Sequence, residues 1–403
     1  MKVFFIFFIL ILILTQTQEQ VQEHLDPVVI IPGLGGTKLD IKLDNAKSDY
    51  WWCRTNADWY RIWVSASEML PEVVDCFAER LSIVYDEQTN TWSDPEGVAV
   101  KTQNGLEAIS NLDPELIFMG YFKDMINKFK DHGYQEGLSI FGLPYDWRWA
   151  PGLGLTEFVQ NIKTTIEYAY NLNGGKKVTV VTHSMGCCLF LDLLNSVDDA
   201  WKEQYIKGWM AISPPWGGVG QAVVALLIGY TFGIPDLLLS AKECQILERT
   251  LPAIYFFLPK QVVYGDSPIV QTPTKTYTSS MTDLHQLLND LNLPENTHSI
   301  LDLVAGASEV VSAPNVQTHI FYGTSKKTPV GVVYHDKLGG DDYSIIEVDG
   351  DNTCASSIVR KIATLWSTQQ QQAITTSTFD CEHQWSPSDE SVVNGVLDFV
   401  LNN

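Results

Sequence analysis

Short apolar runs that stop at glycine or at polar turns recur along this chain, and helix-like stretches lie between them. Pro27–Ile31 (PVVII) runs into Pro32-Gly33-Leu34-Gly35-Gly36, and Val178–Val181 (VTVV) runs into Thr182-His183-Ser184-Met185-Gly186. Val316–Tyr322 stops at Gly323, and Ser344–Val348 stops at Asp349-Gly350-Asp351-Asn352. Glu157–Tyr170 and Met185–Leu194 read as helices, and so does Ser388–Leu401. In the last of these Ser388 is placed to cap, Asp389 and Glu390 suit the first turn, and Val392, Val393, Val396, Leu397 and Val400 form one apolar face. Short buried strands alternating with helices predict an α/β fold with a mostly parallel central sheet flanked by helices. Active sites form at the carboxyl ends of such strands. There is no internal repeat, and the polar tract Gln369–Gln372 reads as a surface loop.

Composition narrows the setting. The chain begins MKVFFIFFILILIL followed by the polar run TQTQEQ, the pattern of a signal peptide over residues 1–17 rather than a membrane span. A retained N-terminal anchor is the alternative. A second long apolar stretch, Ala222–Leu239, is interrupted by Gly229, Gly233, Pro235 and Asp236, which argues against a spanning helix. The expected destination is extracytoplasmic, secreted or lysosomal. With 403 residues, 45% of them hydrophobic, the chain can bury a large core. A formal charge of −22 argues against nucleic acid as a partner and against docking on anionic lipid through a basic patch. Any membrane contact must therefore use apolar and aromatic side chains. Seven cysteines (Cys53, Cys76, Cys187, Cys188, Cys244, Cys354 and Cys381) point to some disulfides, and the odd count leaves at least one thiol free. None has the spacing of a zinc site.

Candidate chemistry sits where the strands end. Thr182-His183-Ser184-Met185-Gly186, between an apolar strand and an apolar helix, has the setting of a nucleophile elbow. Gly186 suits the crowded turn, whereas Thr182 stands in place of the usual first glycine. A nucleophilic serine needs a base, and the base needs an orienting carboxylate. In α/β-hydrolases these follow in the order serine, acid, histidine. Of the histidines after Ser184 (His285, His298, His319, His335 and His383), His383 is best placed, in a loop ahead of the final helix. The turn after Val348 offers Asp349 or Asp351 as the acid, and the residues alone do not choose between them. The oxyanion is expected to be held by backbone N–H groups, one from Met185 and one from Leu34 in the glycine-rich loop. That loop could instead bind phosphate, but no GxxxxGK[ST] or GxGxxG pattern follows it.

Ordered motifs along most of the chain carry a resemblance. IPGLGGTKLDIKL at Ile31, YRIWVSASEMLPEVVDC before Cys76, PYDWRWAP at Pro144, THSMGC at Thr182, AWKEQYI at Ala200, SPPWGG at Ser213, VQTPTKTY at Val270 and DGDNT at Asp349 resemble the lecithin:cholesterol acyltransferase family, which includes lysosomal phospholipase A2. The resemblance implies an α/β-hydrolase domain over residues 25–403 with a cap or lid at 222–259. It also implies a small membrane-binding loop at 50–77, closed by a Cys53–Cys76 disulfide. It selects Asp351 over Asp349 as the acid, giving Ser184, Asp351 and His383 as the triad, and supports the Leu34 and Met185 amides. Trp51, Trp52, Trp59, Trp63 and Leu70 would supply the membrane or substrate contact, although half of them could simply be core.

The sequence also departs from the family. Ile320 stands where a cysteine of the second family disulfide is expected, and Cys354 with Cys381 is the pair expected to staple the two triad loops instead. Cys187 is expected to stay unpaired. Leu34 replaces an acid of the lysosomal enzyme, and Pro214 replaces an alanine of the family's APWGG. Asp146 and Arg148 read as a structural ion pair.

The expected activity is that of a serine phospholipase A and lipid O-acyltransferase acting through an acyl-Ser184 intermediate, with no metal or cofactor. Its partners would be a phospholipid membrane or lipid particle surface, with water or a lipophilic alcohol as acyl acceptor, and the protein would act as a monomer. A neutral-lipid lipase or esterase, or a non-catalytic lipid-binding protein, are the alternatives.

Overall fold

The computed structural model describes residues 25–70, 73–113, 120–231, 240–308 and 311–402. The expected leader at 1–17 lies outside these residues, as do positions 232–239 of the expected lid. Among the described residues, no helix is long and apolar enough to cross a membrane. In the described part of the broken apolar stretch, the helix Gly220–Leu227 stops and Gly229 takes a φ of 95°.

The central sheet has six strands: β1 (Val28–Ile31), β2 (Ile140–Gly142), β3 (Val178–His183), β4 (Ile206–Ile212), β5 (Thr318–Gly323) and β6 (Ile374–Phe379). They lie in the order β6-β5-β4-β3-β1-β2, and every neighbouring pair is parallel. The chain therefore runs outward from β1 to β2 and then reverses to β3 on the other side of β1. That reversal opens a crevice at the carboxyl ends of β1 and β3, where a ligand site is expected on such a sheet.

Both faces of the sheet are covered at its centre, so β1, β3 and β4 are buried along nearly their whole length, whereas the edge strand β6 is polar and largely exposed. Alternate residues of β1 enter different cores, because successive side chains of a strand point to opposite faces. Val29 and Ile31 pack with the helix Thr156–Leu172, the helix Met185–Ser196 and the helix Ser356–Gln369. Val28 and Ile30 pack with the helix Lys123–Asp131 and the C-terminal helix Glu390–Asn402. The fold is the α/β-hydrolase arrangement expected from the sequence.

Two local details differ from expectation. The strand that ends before Asp351, Tyr343–Gly350, is not part of the central sheet. It pairs antiparallel with Lys326–Tyr334 in a separate four-stranded sheet. It still delivers Asp351 to the end of β5: a methyl group on Gly323 would come within 2.6 Å of the Asp351 Cβ. The final helix is capped by Asp389 rather than Ser388. Asp389 Oδ1 accepts the Ser391 and Val392 amides at 2.9 and 3.2 Å, whereas the Ser388 hydroxyl donates to the Trp385 carbonyl inside a 3-10 turn, His383–Ser388.

Among the described residues, Arg148 is the most deeply buried cation, 1% exposed, and is ion-paired with Asp146 at 2.6 Å and Asp94 at 2.7 Å. This is the structural role read from YDWR, with Asp94 as an additional partner. The Cys53–Cys76 disulfide is formed, across a sequence separation of 23.

Candidate active site

Ser184 occupies the turn between β3 and the helix Met185–Ser196. Its φ of 51° and ψ of −122° are uncommon for a residue with a side chain. Such strain persists only where packing fixes it, and here the neighbours leave no slack. A methyl on Gly186 would lie 2.5 Å from the Ile31 carbonyl oxygen and 2.6 Å from that of Pro32. A methyl on Gly33 would lie 2.6 Å from the Ser184 Cβ. Thr182, the departure from a glycine, fits because its hydroxyl is used. It accepts from the Trp209 indole at 2.8 Å and donates to the Cys187 sulfur at 3.0 Å.

The Ser184 hydroxyl donates to His383 Nε2 at 2.8 Å, and His383 Nδ1–H donates to Asp351 Oδ2 at 3.0 Å. All three residues are buried. The other Asp351 oxygen accepts the Cys354 amide at 2.6 Å and the Thr353 amide at 3.0 Å. Burial pushes the Asp351 carboxyl up, but His383 and these two amides outweigh it and hold the group below its ordinary value. Of the two acids that the residues alone left open, Asp351 is the one beside His383. Asp349 is exposed and pairs with Lys327 at 3.5 Å, away from His383. The remaining candidate bases lie elsewhere: His285 and His298 bond to one another, His319 bonds Thr375 and Ser377, and His335 is exposed.

A second chain of hydrogen bonds, built on two residues that sequence reasoning did not single out, links the loops around Ser184. The Gly33 amide donates to the Tyr121 hydroxyl at 2.8 Å, Tyr121 lies 2.5 Å from His183 Nδ1, and His183 Nε2 lies 3.1 Å from the His383 carbonyl oxygen. A carbonyl only accepts, so His183 Nε2 carries the proton, Nδ1 accepts, and Tyr121 donates. Burial, followed by the neighbouring His383, pushes His183 well down, which keeps it neutral as this pattern requires. His183 stands beside Ser184 in the motif and could have been noticed there; Tyr121 carries no local signal.

The pocket above Ser184 and His383 is apolar, walled by Leu34, Trp63, Leu112, Val219, Ile254 and Phe257 among others. Met185 is the first residue of its helix, so its N–H is among those that a helix leaves unpaired within itself. Trp51, Trp52, Trp59 and Leu70 are exposed, Trp51 to 91%. Trp63 is not part of that surface. It is 4% exposed, stacks on Phe77, donates its indole N–H to the Gly35 carbonyl at 2.6 Å and faces the pocket.

The expected Cys354–Cys381 bridge is absent, and both thiols are free. Cys354 points inward, with its sulfur 3.4 Å from the Ser213 carbonyl and 3.8 Å from His383 Nδ1, whereas Cys381 packs against the core on the other face of the sheet. Cys187 is also free and buried. Among the described residues, one group of His, Cys and acidic side chains is close enough to hold a cation: Asp351, Cys354 and His383, within 4.8 Å of one another. Two of its ligand atoms already share a proton, and burial holds the Cys354 thiol well above its ordinary value, so the group is a poor fit for a metal.

Comparison with known proteins places these features in a family. The family model described as lecithin:cholesterol acyltransferase matches residues 59–306. The chain is 30% identical to a rat protein named lysosomal phospholipase A and acyltransferase, across 86% of this chain and 83% of that one. It is 29% identical to a mouse phosphatidylcholine-sterol acyltransferase, across 92% and 84% of the two. In fold it is similar to the crystal structure of the Tle4-Tli4 complex, with a TM-score of 0.56 at 14% identity over 93% of this chain and 98% of that one. The chain belongs to the lecithin:cholesterol acyltransferase family.

Proposed function

We propose that this enzyme, an acyl hydrolase and acyltransferase acting on phospholipid, works through an acyl-Ser184 intermediate. The observation that carries the reading is the alignment of Ser184, His383 and Asp351 at 2.8 and 3.0 Å beneath an apolar pocket. His383 takes the Ser184 proton on Nε2 as Oγ attacks the ester carbonyl carbon. Asp351 holds the ring in the tautomer that leaves Nε2 free, and stabilises the imidazolium that forms. The carbonyl oxygen becomes an oxyanion facing the Leu34 and Met185 amides. The ester C–O bond then breaks, and the lysophospholipid leaves with the proton from His383. Water or a lipophilic alcohol next gives a proton to His383 and attacks the acyl carbon, which regenerates Ser184. Water yields a fatty acid and an alcohol yields its ester; no step calls for a metal or cofactor.

The relatives' names supply the substrate class, and the surface supports it. Exposed Trp51, Trp52, Trp59 and Leu70 form the proposed membrane contact, with residues 50–77 as the membrane-binding loop. With a formal charge of −22, an apolar contact is the physically reasonable one. The strand Ala57–Trp63 joins the two regions, with exposed Trp59 near one end and pocket-lining Trp63 at the other. Four residues of strand span about 13 Å, so a lipid has a short path from bilayer to pocket. The segment 222–259, which contributes Ala222, Ala225, Tyr230, Ile254 and Phe257 to the pocket, is the proposed lid. The leader-like start and the name of the lysosomal relatives support an extracytoplasmic destination, secreted or lysosomal.

The test is turnover of phosphatidylcholine vesicles, with and without a sterol or a short ceramide, by the wild-type protein and Ser184→Ala. Fatty acid release that is lost in the variant supports the phospholipase reading, and an acylated alcohol extends it to transfer. A wild-type protein that binds vesicles but releases nothing, while cleaving neutral glycerides, would replace the substrate with a neutral lipid.

A further inference from the structure

Glu248 closes the helix Ala241–Glu248 and lines the same pocket as Ser184, yet the mechanism above gives it no task. It is fully buried, in a pocket whose nearby lid residues Ala222, Ala225, Ile254 and Phe257 are apolar. Oε2 accepts the Tyr230 backbone N–H at 3.0 Å, and among the described residues Oε1 has no hydrogen-bond partner. No cation among the described residues offsets the charge: adjacent Arg249 turns to the Leu226 carbonyl, to which its Nε donates at 2.9 Å. A carboxylate unpaired in apolar surroundings takes up a proton instead, and burial pushes this group up to about 8. Because Oε2 already accepts an N–H, the proton belongs on Oε1. An O–H donor with nothing to donate to is left at the pocket wall, an unfavourable arrangement that a ligand oxygen would relieve.

We infer that Glu248 is the polar anchor of a lipid subsite, donating through Oε1 to an uncharged oxygen of the bound lipid. That oxygen is either the hydroxyl of the acyl acceptor or a second ester carbonyl of the acyl donor. The inference rests on the acyl-transfer reading for its substrates. A cationic headgroup is the wrong partner, since apolar walls would strip its hydration and offer one uncharged acid in return.

The experiment uses the full chain and two variants. Glu248→Leu removes the donor, whereas Glu248→Gln keeps one, because its amide N–H₂ can face the lipid while its oxygen accepts from Tyr230. With phosphatidylcholine vesicles containing a long-chain alcohol, two quantities are read: the ratio of acyl transferred to acyl hydrolysed, and the KM for the donor lipid. A loss of about tenfold in the ratio for the leucine variant assigns the oxygen to the acceptor, and a rise of about tenfold in KM assigns it to the donor. In either case glutamine restores the wild-type value to within about twofold. Both variants matching the wild type, or glutamine failing as badly as leucine, would overturn the inference. A second arm works without turnover. In a Ser184→Ala background, dodecanol, methyl dodecanoate and dodecane are titrated against the fluorescence of pocket-lining Trp63 and Trp385. An oxygen-bearing probe should bind about tenfold more tightly than dodecane when residue 248 is glutamate or glutamine, and no more tightly when it is leucine. Equal binding in all three would defeat the subsite even if catalysis by Ser184 stands. Failure of the wild type to turn over would count against the acyl-transfer reading while leaving this arm decisive.

Discussion

At the scale of single residues, two buried acids respond to pH in opposite directions. Asp351 is held below its ordinary value, so it contributes stability that is full above about pH 4 and is lost as pH falls through the lowered value. Asp351→Asn should reduce that acid sensitivity. It should also lower kcat by roughly 10⁴, because His383 would then be held in the wrong tautomer. Urea midpoints measured from about pH 6 down to 3, with kcat at neutral pH, check both. Glu248 is raised to about 8, so the folded protein keeps a proton that the unfolded chain releases near its ordinary value. Its effect is a loss of stability as pH climbs from about 4 to about 8, with no further change above. Glu248→Gln removes this loss. The gap in unfolding free energy between variant and wild type, measured by urea titration, should widen between about pH 5 and 8 by an amount on the order of 3 kcal/mol. A constant gap would show that the acid is not protonated in the folded state.

At the scale of elements, the site is two loops at the sheet's reversal point, tied together through Tyr121 and His183. Tyr121→Phe leaves the Gly33 amide and His183 Nδ1 without their partner, at about 1–3 kcal/mol for each buried group. Because the proposed oxyanion loop and the His383 loop then lose their common tie, kcat should fall roughly tenfold to a hundredfold with little change in KM. Steady-state kinetics on vesicles separates this from a binding defect, which would raise KM instead. The elements themselves were legible where the chain announces them. Pro27–Ile31 and Val178–Val181 are almost wholly apolar and run into turns rich in small residues, which suits a buried parallel strand before a tight turn. Asp351 was harder to place, because SIIEVD before it does not say which sheet it joins. Pairing with Lys326–Tyr334, a choice made by tertiary contacts, decides that. The cap of the last helix went to Asp389 because the Ser388 hydroxyl is drawn back to the Trp385 carbonyl in the preceding 3-10 turn. Tyr121 was invisible, since a lone tyrosine gains its role only when distant loops meet. The Cys354–Cys381 pairing failed for a similar reason: nearness to the triad in sequence does not fix the direction in which each thiol points.

On the scale of the whole molecule, a strongly acidic protein must reach lipid through an apolar surface. Replacing Trp51 and Trp52 together by serine should weaken binding to zwitterionic vesicles by about tenfold or more. The loss of turnover on vesicles should exceed the loss on a soluble short-chain ester. Flotation with vesicles at low and high salt checks the physics, since apolar contact should survive salt that would screen a charged one. Equal losses on both substrates would mean that the tryptophans support the fold rather than the surface.

The most direct test of the central claim is to catch the intermediate. The wild-type protein is mixed with phosphatidylcholine vesicles, quenched in acid within the first turnovers, digested, and examined by mass spectrometry of the peptide containing Ser184. The account predicts a fatty acyl adduct on Ser184, which disappears when a lipophilic alcohol is added in excess and appears as the corresponding ester. Fatty acid release with Ser184 unmodified, undiminished in Ser184→Ala, would contradict it.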